Sequence, residues 1–273
     1  MMNNTEENKD NIHGLEIEEI VTLYGDYIYN FALKLSAHPL DAEDLAQETI
    51  VKAWQYLSTL QNAEAIKKWL RTICLNLFRD RIKEKQKIKV DYTENLEELE
   101  KDGQYLVVPS PSPADEAFVS DEIKKLRDGC FLAMTRRLTL NQRLAFSLVD
   151  MFGLSINETA HVLAVTPKAV KGLLYRARMN LESFFKEHCS MLDANNPCQC
   201  RAWIDFVAQR AKIQNDLSQK LEVLDYRKQG YTYDEKTRKE ILYYYQHLPQ
   251  YKPSDGWYTH VILLLEKFFI QNT

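Results

Sequence analysis

Helical spacing of apolar residues is the feature that most constrains the fold of this chain. From residue 15 to about residue 89, apolar side chains recur at every third or fourth position, and one row steps by four throughout: Leu23, Tyr27, Phe31 and Leu35. Such a row lies on one side of a helix, whereas a half-buried strand alternates with period two. With only 8 Gly and 8 Pro in 273 residues, the composition also suits helices better than a turn-rich β-sandwich. We therefore predict an all-α protein.

The helical pattern is interrupted between residues 91 and 117, where three prolines alternate with other residues: Pro109, Pro111 and Pro113. Alternate prolines fix φ and remove hydrogen-bond donors, so we predict an extended linker. The predicted organisation is a disordered N-terminus at 1–14, a helical domain at 15–90, a flexible acidic linker at 91–117, a second helical domain at 118–187 and an extension at 188–273. Within the extension we predict helices around residues 202–226, 234–247 and 257–270.

Charge is strongly segregated along the chain, although the net charge is only −4. Residues 67–89 contain nine Lys or Arg against two acids, and residues 91–122 contain ten acids against one Lys. Residues 166–186 are basic again, with five Lys or Arg against Glu182. Each block must therefore be interpreted separately.

Several features exclude a membrane or secreted protein. The apolar run from Val261 to Leu265 is far shorter than the ~20 residues that span a bilayer. The first ten residues are polar and acidic, unlike a signal peptide. Five Cys, an odd number, argue against a disulfide framework. We predict a cytoplasmic protein with no membrane contact.

The strongest local signal is a short helix predicted at 158–163 and a second helix that follows it after a tight turn. Thr139–Gln142 and Ser155–Glu158 both fit a capping box, and Gly153 can end the helix between them. A turn at 164–165 is followed by Thr166-Pro167, an N-cap and a proline at the first helical position. Four apolar residues can pack the two helices together: Ala160, Val165, Val170 and Leu174. This layout is a helix-turn-helix whose second helix enters the major groove; the alternative is an ordinary α-hairpin with a solvated basic face.

The basic segment 67–89 also has helical spacing. Its apolar stripe consists of Trp69, Leu70, Ile73, Leu77 and Ile82. Seven polar residues are then left for solvent or phosphate: Lys68, Arg71, Thr72, Asn76, Arg79, Arg81 and Lys83. Such a surface attracts a polyanion whatever its sequence, although a solvated amphipathic helix explains the segment taken alone.

An acidic helix start precedes this basic segment. Asp41 is the predicted N-cap, and four further polar residues lie close together on the helix: Glu43, Asp44, Gln47 and Glu48. This patch suits a basic partner surface, but acids are also favoured at a helix start by the dipole.

Taken in order, these segments resemble an extracytoplasmic-function (ECF) sigma factor of bacterial RNA polymerase. The resemblance rests on the run DAEDLAQET at 41–49, Lys52-Ala-Trp54, the run WLRTICLNLFRDR at 69–81, and the helix-turn-helix. It covers roughly residues 15–187. It implies a subunit that directs promoter-specific initiation, with sigma region 2 at 15–90 and region 4 at 118–187. The implied partners are core polymerase, through its clamp and flap, promoter DNA in duplex and melted form, and an anti-sigma factor.

The resemblance also implies three sets of site residues and no catalytic ones. The polymerase clamp would contact Asp41, Glu43, Asp44, Gln47 and Glu48. The −10 element would contact Asn62, Lys67, Lys68, Arg71, Asn76, Arg79 and Arg81, with Trp54 and Trp69 as either stacking or core residues. The −35 element would contact Thr166, Lys168, Ala169, Lys171, Gly172, Tyr175, Arg176 and Arg178. The acidic linker would follow the RNA exit path and mimic RNA, unless it only solubilises the chain.

Three residues depart from the family pattern in the helix-turn-helix. Ala164 stands where the family often has Gly, and Leu173 where a basic residue is common. Gly172 lies inside the recognition helix, which costs about 1 kcal/mol relative to Ala. It either admits the DNA backbone or merely weakens the helix. These departures leave the DNA sequence of the −35 element undetermined, but they do not change the predicted mode of binding.

The junction after the second domain carries candidate metal ligands. Four residues could bind a structural zinc ion through thiolate and imidazole groups: His188, Cys189, Cys198 and Cys200. A redox-sensitive dithiol and ordinary buried cysteines are the alternatives. No cofactor is required by the predicted function.

The aromatic and leucine stripes of the extension predict helices that pack on each other or on the sigma core. We hypothesise a built-in regulatory role for them. The alternative function is a free-standing helix-turn-helix regulator whose extension senses metal or redox state. An interaction adaptor built from the late helices could coexist with the sigma role. The chain shows no phosphate-binding Gly loop and no nucleophile motif, so we predict that it is not an enzyme.

Overall fold

The computed structural model describes residues 17–60, 62–85, 113–196, 198, 200 and 223–272. These residues contain nine α-helices and no named strand. The all-α prediction is therefore confirmed for the described part of the chain. The predicted N-terminal segment 1–14 and residues 91–112 of the predicted linker lie outside the described residues.

The described residues form two compact units. The first contains residues up to Lys85 together with those from Gln250 onwards, and the second runs from Pro113 to Pro249. The helices of the first unit are α1 (Ile17–Ser36), α2 (Pro39–Gln55), α3 (Ile66–Lys85) and α9 (Trp257–Asn272). Those of the second are α4 (Pro113–Thr135), α5 (Leu140–Phe146), α6 (Ile156–Leu163), α7 (Pro167–His188) and α8 (Glu235–Gln246).

In the first unit, α1 packs against α2, α3 and α9. Phe31 and Leu35 are fully buried as their spacing predicts, but Leu23 is 65% exposed. The buried face of α1 instead begins with Ile20 and Val21 and continues through Ile28. An ideal helix has 3.6 residues per turn, so a row of strict four-residue steps gradually leaves the buried face.

The start of α2 differs from the prediction. His38 is the N-cap, and its Nδ1 accepts a hydrogen bond from the amide of Asp41 at 3.4 Å. Pro39 occupies the first helical position, where a missing amide hydrogen and a fixed φ are no disadvantage. Asp41 therefore lies inside the first turn, where its charge favours the helix through the dipole.

Helix α3 ends at Lys85 in the described chain, and two short 3₁₀ turns, Leu57–Thr59 and Ala63–Ala65, connect it to α2. Its buried stripe contains Ile66, Leu70, Cys74, Leu75 and Phe78. Trp69, Ile73, Leu77 and Ile82 were predicted in the stripe but are only half-buried. The stripe is rotated because Cys74, which behaves as a small apolar residue, lies at its centre.

In the second unit, α4 begins at Pro113 and not near residue 117. Proline suits the first helical position, so the last proline of the predicted linker starts the helix. Helix α5 continues into a π-helical turn at Ser147–Met151. Most of the predicted helix 202–226 lies outside the described residues, but residues 223–225 are not helical and Tyr226 lies in a turn.

The predicted helix caps are largely confirmed. Thr139 caps α5, Ser155 and Glu158 form the complete capping box of α6, and Gly153 has φ +70°. Gln142 does not complete the box with Thr139; its Oε1 accepts from Asn180 Nδ2 at 3.2 Å. Satisfying the buried Asn180 amide is worth more than a second cap bond at a surface helix start.

The described residues of the C-terminal extension belong to the two units and form no unit of their own. Tyr245 on α8 is completely buried, lies edge-on to Phe131 and Phe146, and donates its hydroxyl to the Phe131 carbonyl at 2.8 Å. Val261 and Leu265 on α9 are buried in the first unit, against α1 and α2. The extension thus completes the cores of both units.

No helix within the described ranges is long and apolar enough to cross a membrane.

Candidate nucleic-acid and polymerase interfaces

Helices α6 and α7 form a helix-turn-helix. Ala164 ends α6 in the left-handed conformation, with φ 54° and ψ 45°. Its amide and that of Val165 donate to the carbonyls of His161 and Ala160, the pattern of a Schellman motif. Thr166 then caps α7 by accepting from the amide of Ala169 at 3.2 Å. Backbone groups at the end of α6 and at the start of α7 are thus satisfied by specific local hydrogen bonds.

The buried side of α7 contains Val170, Leu174 and Ala177. Val165, predicted to join them, is 40% exposed because it follows the left-handed turn. The opposite side carries six exposed residues of the predicted −35 set: Thr166, Lys168, Ala169, Lys171, Tyr175 and Arg176. The structure therefore brings these six together on one accessible face of the recognition helix.

Arg178 was predicted to contact DNA, but it is held inside the second unit. Its Nε donates to Asp150 Oδ2 at 3.0 Å and its Nη2 to Asp150 Oδ1 at 2.6 Å. The side chain of Asp150 is only 4% exposed. A charge removed from water needs a partner of opposite sign, so the guanidinium is committed to Asp150. Arg178 is a structural residue of the π-helical turn and α7.

Gly172 has open space around it. A Cβ added there would meet only the guanidinium of Arg176, at 3.6 Å from Nη1. This is ordinary contact distance, so the fold does not require glycine at this position.

The extension lies beside the recognition helix. The amide of Tyr226 donates to Asn180 Oδ1 at 2.9 Å, and its ring lies edge-on to Tyr175 with centroids 6.4 Å apart. Residues 223–228 also line an open pocket with Arg176 and Thr139. Arg227 and Lys228 are exposed in this segment. The sequence pattern gave no sign of this neighbour, because it depends on a tertiary contact.

On the first unit, α3 presents a polar row with a four-residue step. Lys68, Thr72 and Asn76 are exposed along it, and Asn62 and Lys67 are exposed at its start. Because four residues make slightly more than one turn, this row lies on one side of the helix. The structure therefore brings together four residues of the predicted −10 set: Asn62, Lys67, Lys68 and Asn76.

Other members of the −10 set contact neighbouring helices. Arg71 is half-buried beside Tyr27. Burial raises the pKa of the Tyr27 phenol, and the charge and hydrogen bond of Arg71 oppose part of that rise. Arg81 donates from Nε at 3.0 Å and from Nη2 at 2.7 Å to Glu48 Oε2. Arg79, Trp54 and Trp69 are half-buried, which leaves part of each side chain accessible.

The acidic patch on α2 is partly occupied by contacts within the chain. Glu48 pairs with Arg81, and Glu43 Oε1 accepts from the amide of Ser254 at 2.6 Å. Asp44 is exposed, while Asp41 and Gln47 are half-buried. The five predicted residues therefore lie on one helix, but they are not one uniformly solvated surface.

The predicted metal ligands lie around a tight turn after α7. Cys189 and Cys198 form a parallel β-bridge, in which the Cys198 amide donates to the His188 carbonyl at 3.0 Å. Within the described residues, no group of three His, Cys, Asp or Glu is arranged to hold a metal ion. Zinc binding stays a prediction.

Sequence reasoning missed Cys130 on α4. Burial raises the pKa of its thiol well above the usual value, and nearby Cys198, Cys189 and Cys200 raise it further. Burial likewise raises the pKa of Cys200 to about 11. Four cysteines therefore share one region of the second unit, in a setting that favours protonated thiols when no metal is bound. Because Cys130 is remote in sequence, spacing alone could not have found it.

Two protein-family models match the chain, one in each helical unit. The sigma-70 region 2 model matches residues 20–88, and the sigma-70 region 4 model matches residues 128–181. These ranges lie within the two domains predicted from the sequence. A free-standing helix-turn-helix regulator would need no region 2, so the matches do not favour that alternative.

Several curated proteins are similar to this chain in sequence. SigE of Mycolicibacterium smegmatis is 31% identical over 174 residues, which cover 63% of this chain and 63% of SigE. SigM of Bacillus subtilis is 28% identical over 171 residues, covering 63% of this chain and 96% of SigM. EcfG of Rhodopseudomonas palustris is 30% identical over 154 residues, covering 56% of this chain and 76% of EcfG. The chain thus spans less than two thirds of SigE but most of SigM and EcfG. With both sigma regions present in order, it belongs to the ECF family of RNA polymerase sigma factors.

Proposed function

We propose that the chain directs RNA polymerase to promoters by contacting DNA at two places, the −35 element with α7 and the −10 element with α3. It binds rather than catalyses, and it acts in the cytoplasm, where polymerase meets the chromosome. The observation that carries this proposal is the exposed polar face on each helix, one in each sigma region.

At the −35 element, α7 enters the major groove with its N-terminal half. Lys168, Lys171 and Arg176 are exposed on its outer side, so they can reach phosphates and base edges. The start of the helix also offers a favourable dipole to a phosphate. Arg178 takes no part, since Asp150 holds its guanidinium.

At the −10 element, the polar row of α3 holds the melted strand. Lys67 and Lys68 supply positive charge, while Asn62 and Asn76 can hydrogen-bond to bases removed from the stack. Unstacking a base costs a few kcal/mol, which these contacts must offset. Trp54 and Trp69, each half-buried, can offer a ring edge or face.

Core polymerase binds the acidic side of α2. Asp44 is exposed and Glu43 lies one residue before it, so a basic surface of the clamp has carboxylates to meet. Glu48 contributes through its pair with Arg81, which fixes the geometry of α2 against α3.

Base-specific binding by the reconstituted holoenzyme tests the assignment. We expect Arg176→Ala to cost about 1–3 kcal/mol and to relax preference at one −35 position. As a phosphate contact, Lys171 should give a different result. Lys171→Ala should weaken binding by the same factor for all promoter sequences and reduce the slope of log K against log salt concentration by about one. Lys239→Ala is the matched control, because Lys239 is exposed on α8 and pairs with Glu235.

The two halves of the proposal can fail separately. If Arg176→Ala and Lys171→Ala bind promoter DNA as tightly as Lys239→Ala does, α7 is not the −35 contact. If Lys68→Ala and Asn76→Ala form open complexes as efficiently as the unaltered chain, α3 is not the −10 contact.

A further inference from the structure

Residues 250–258, which we call the cover segment, lie directly on the acidic side of α2. The amide of Ser254 donates to Glu43 Oε1 at 2.6 Å. The indole Nε1 of Trp257 donates to the main-chain carbonyl of Glu43 at 3.2 Å. Both the side chain and the backbone of one residue in the proposed polymerase contact are therefore engaged by the C-terminal extension.

The cover segment is also anchored to α1 by a buried carboxamide. Asn30 is 2% exposed. Its Oδ1 accepts from the Tyr251 amide at 2.8 Å, and its Nδ2 donates to the Tyr251 carbonyl at 2.7 Å. A side chain that hydrogen-bonds to both the amide and the carbonyl of one residue fixes that residue in position.

A glycine allows the close approach of the segment to α1. A Cβ on Gly25 would lie 2.7 Å from Tyr258 Cε1 and 3.3 Å from Trp257 Cζ3. Tyr258 is further held by a short hydrogen bond from its hydroxyl to Asp26. Glycine weakens a helix interior relative to alanine, so its presence in α1 is explained by this contact.

The segment is held in place by apolar burial as well. Trp257 is 5% exposed, and Val261 on the following turn of α9 is completely buried. Burying large apolar side chains removes their surface from water and stabilises the contact. The cover is thus a packed part of the first unit and not a loosely attached tail.

We propose that the cover segment is an autoinhibitory contact, which occupies the polymerase-binding side of α2 and is displaced when core polymerase binds. This inference rests on the proposed role of α2 in polymerase binding. The Ser254 amide and a basic polymerase residue compete for Glu43, and the Trp257 ring excludes a partner from the adjacent surface. The apparent affinity for polymerase is then the intrinsic affinity multiplied by the fraction of molecules in which the segment is released.

Gly25→Ala tests the proposal without altering any residue of the binding surfaces. The added methyl group cannot coexist with Tyr258 in its present position, so it loosens the cover segment, while alanine favours the α1 helix. We expect the full-length variant to bind core polymerase about tenfold more tightly. Gly129→Ala on α4 is the matched control, because a Cβ there meets nothing within 4 Å and should leave the affinity unchanged. Equal or weaker binding by a folded Gly25→Ala variant would overturn the proposal.

Hydrogen exchange of the unaltered full-length chain gives a second measurement that does not depend on any variant. On addition of core polymerase, we expect faster exchange at the amides of Tyr251 and Ser254. Binding with unchanged or slower exchange there means that the cover stays in place, which refutes autoinhibition while leaving the sigma function intact. If neither the unaltered chain nor the variant binds core polymerase, the proposed function fails, and the autoinhibitory role fails with it.

Discussion

Asn30 and Tyr251 are joined by a reciprocal pair of hydrogen bonds, in which one side-chain amide satisfies both backbone groups of a residue far along the chain. The same Nδ2 also donates to the Asp26 carbonyl at 2.8 Å within α1. The C-terminal extension is therefore hydrogen-bonded directly to the first helix of sigma region 2.

Asn30→Asp should disrupt this junction while preserving its shape. A carboxylate can still accept from the Tyr251 amide, but it faces the carbonyls of Tyr251 and Asp26 without a proton to donate. We expect a loss of about 2 kcal/mol in the free energy of unfolding of the first unit, measured by denaturant titration. Asn76→Asp on the exposed row of α3 should change it little, and equal effects of the two variants would contradict the importance of the junction.

Ala164→Gly should stabilise the second unit. Ala164 has φ 54°, a conformation that disfavours a Cβ and suits glycine. We expect a gain of about 1 kcal/mol and a higher melting temperature. Ala169→Gly, on the exposed face of α7, should instead lose about 1 kcal/mol. Changes of the same sign would show that the left-handed turn carries no strain.

Arg238→Ala should destabilise the contact between α8 and α7. Arg238 Nε lies 2.5 Å from Glu182 Oε1, and the Glu182 side chain is 1% exposed. Removal of Arg238 takes the ion-pair partner from the buried carboxylate and leaves it a hydrogen bond from the Tyr231 hydroxyl at 3.4 Å, so we expect a loss of about 3 kcal/mol at neutral pH. The measurement is thermal or denaturant unfolding of the second unit, with Lys239→Ala as the control on the same helix.

The loss caused by Arg238→Ala should depend on pH. Burial raises the pKa of Glu182, and Arg238 opposes that rise. In the variant the folded state therefore holds the Glu182 proton more tightly than the unfolded state does, and stability is lost as pH rises through the folded-state pKa. We expect a smaller difference from the unaltered protein at pH 5 than at pH 8. A difference that grows as pH falls would mean that Glu182 is not the group involved.

The zinc hypothesis makes a discriminating prediction about the cysteines. If a structural zinc ion is bound, elemental analysis should find one equivalent in the purified chain and none after Cys189, Cys198 and Cys200 are replaced by serine. Because His188 completes the predicted set of four ligands, His188→Ala should also lose zinc. An unaltered chain that contains no zinc ends the hypothesis.

Local signals in the sequence predicted the helix-turn-helix well. Ser155, Glu158, Gly153, Thr166 and Pro167 have the predicted roles because caps and turns depend on neighbours within a few residues. The exposed faces of α3 and α7 follow from helical period in the same way.

Long-range contacts were beyond the reach of sequence pattern. In the sequence, Arg178 cannot be distinguished from the other basic residues of the recognition helix, and only the structure shows its contact with Asp150. Nothing in the sequence near Glu43 indicates Ser254 or Trp257, and nothing near Cys189 indicates Cys130. Each of these contacts is formed by residues distant in the chain, so local period and charge carry no information about them.

Run-off transcription with core RNA polymerase, the full-length chain and a pool of promoter fragments tests the central claim most directly. Sequencing of the transcript 5′ ends should reveal defined start sites, preceded by two shared elements and absent with core polymerase alone. Initiation that the chain leaves unchanged, with no shared upstream elements, would contradict the assignment of this protein as a promoter-specificity subunit.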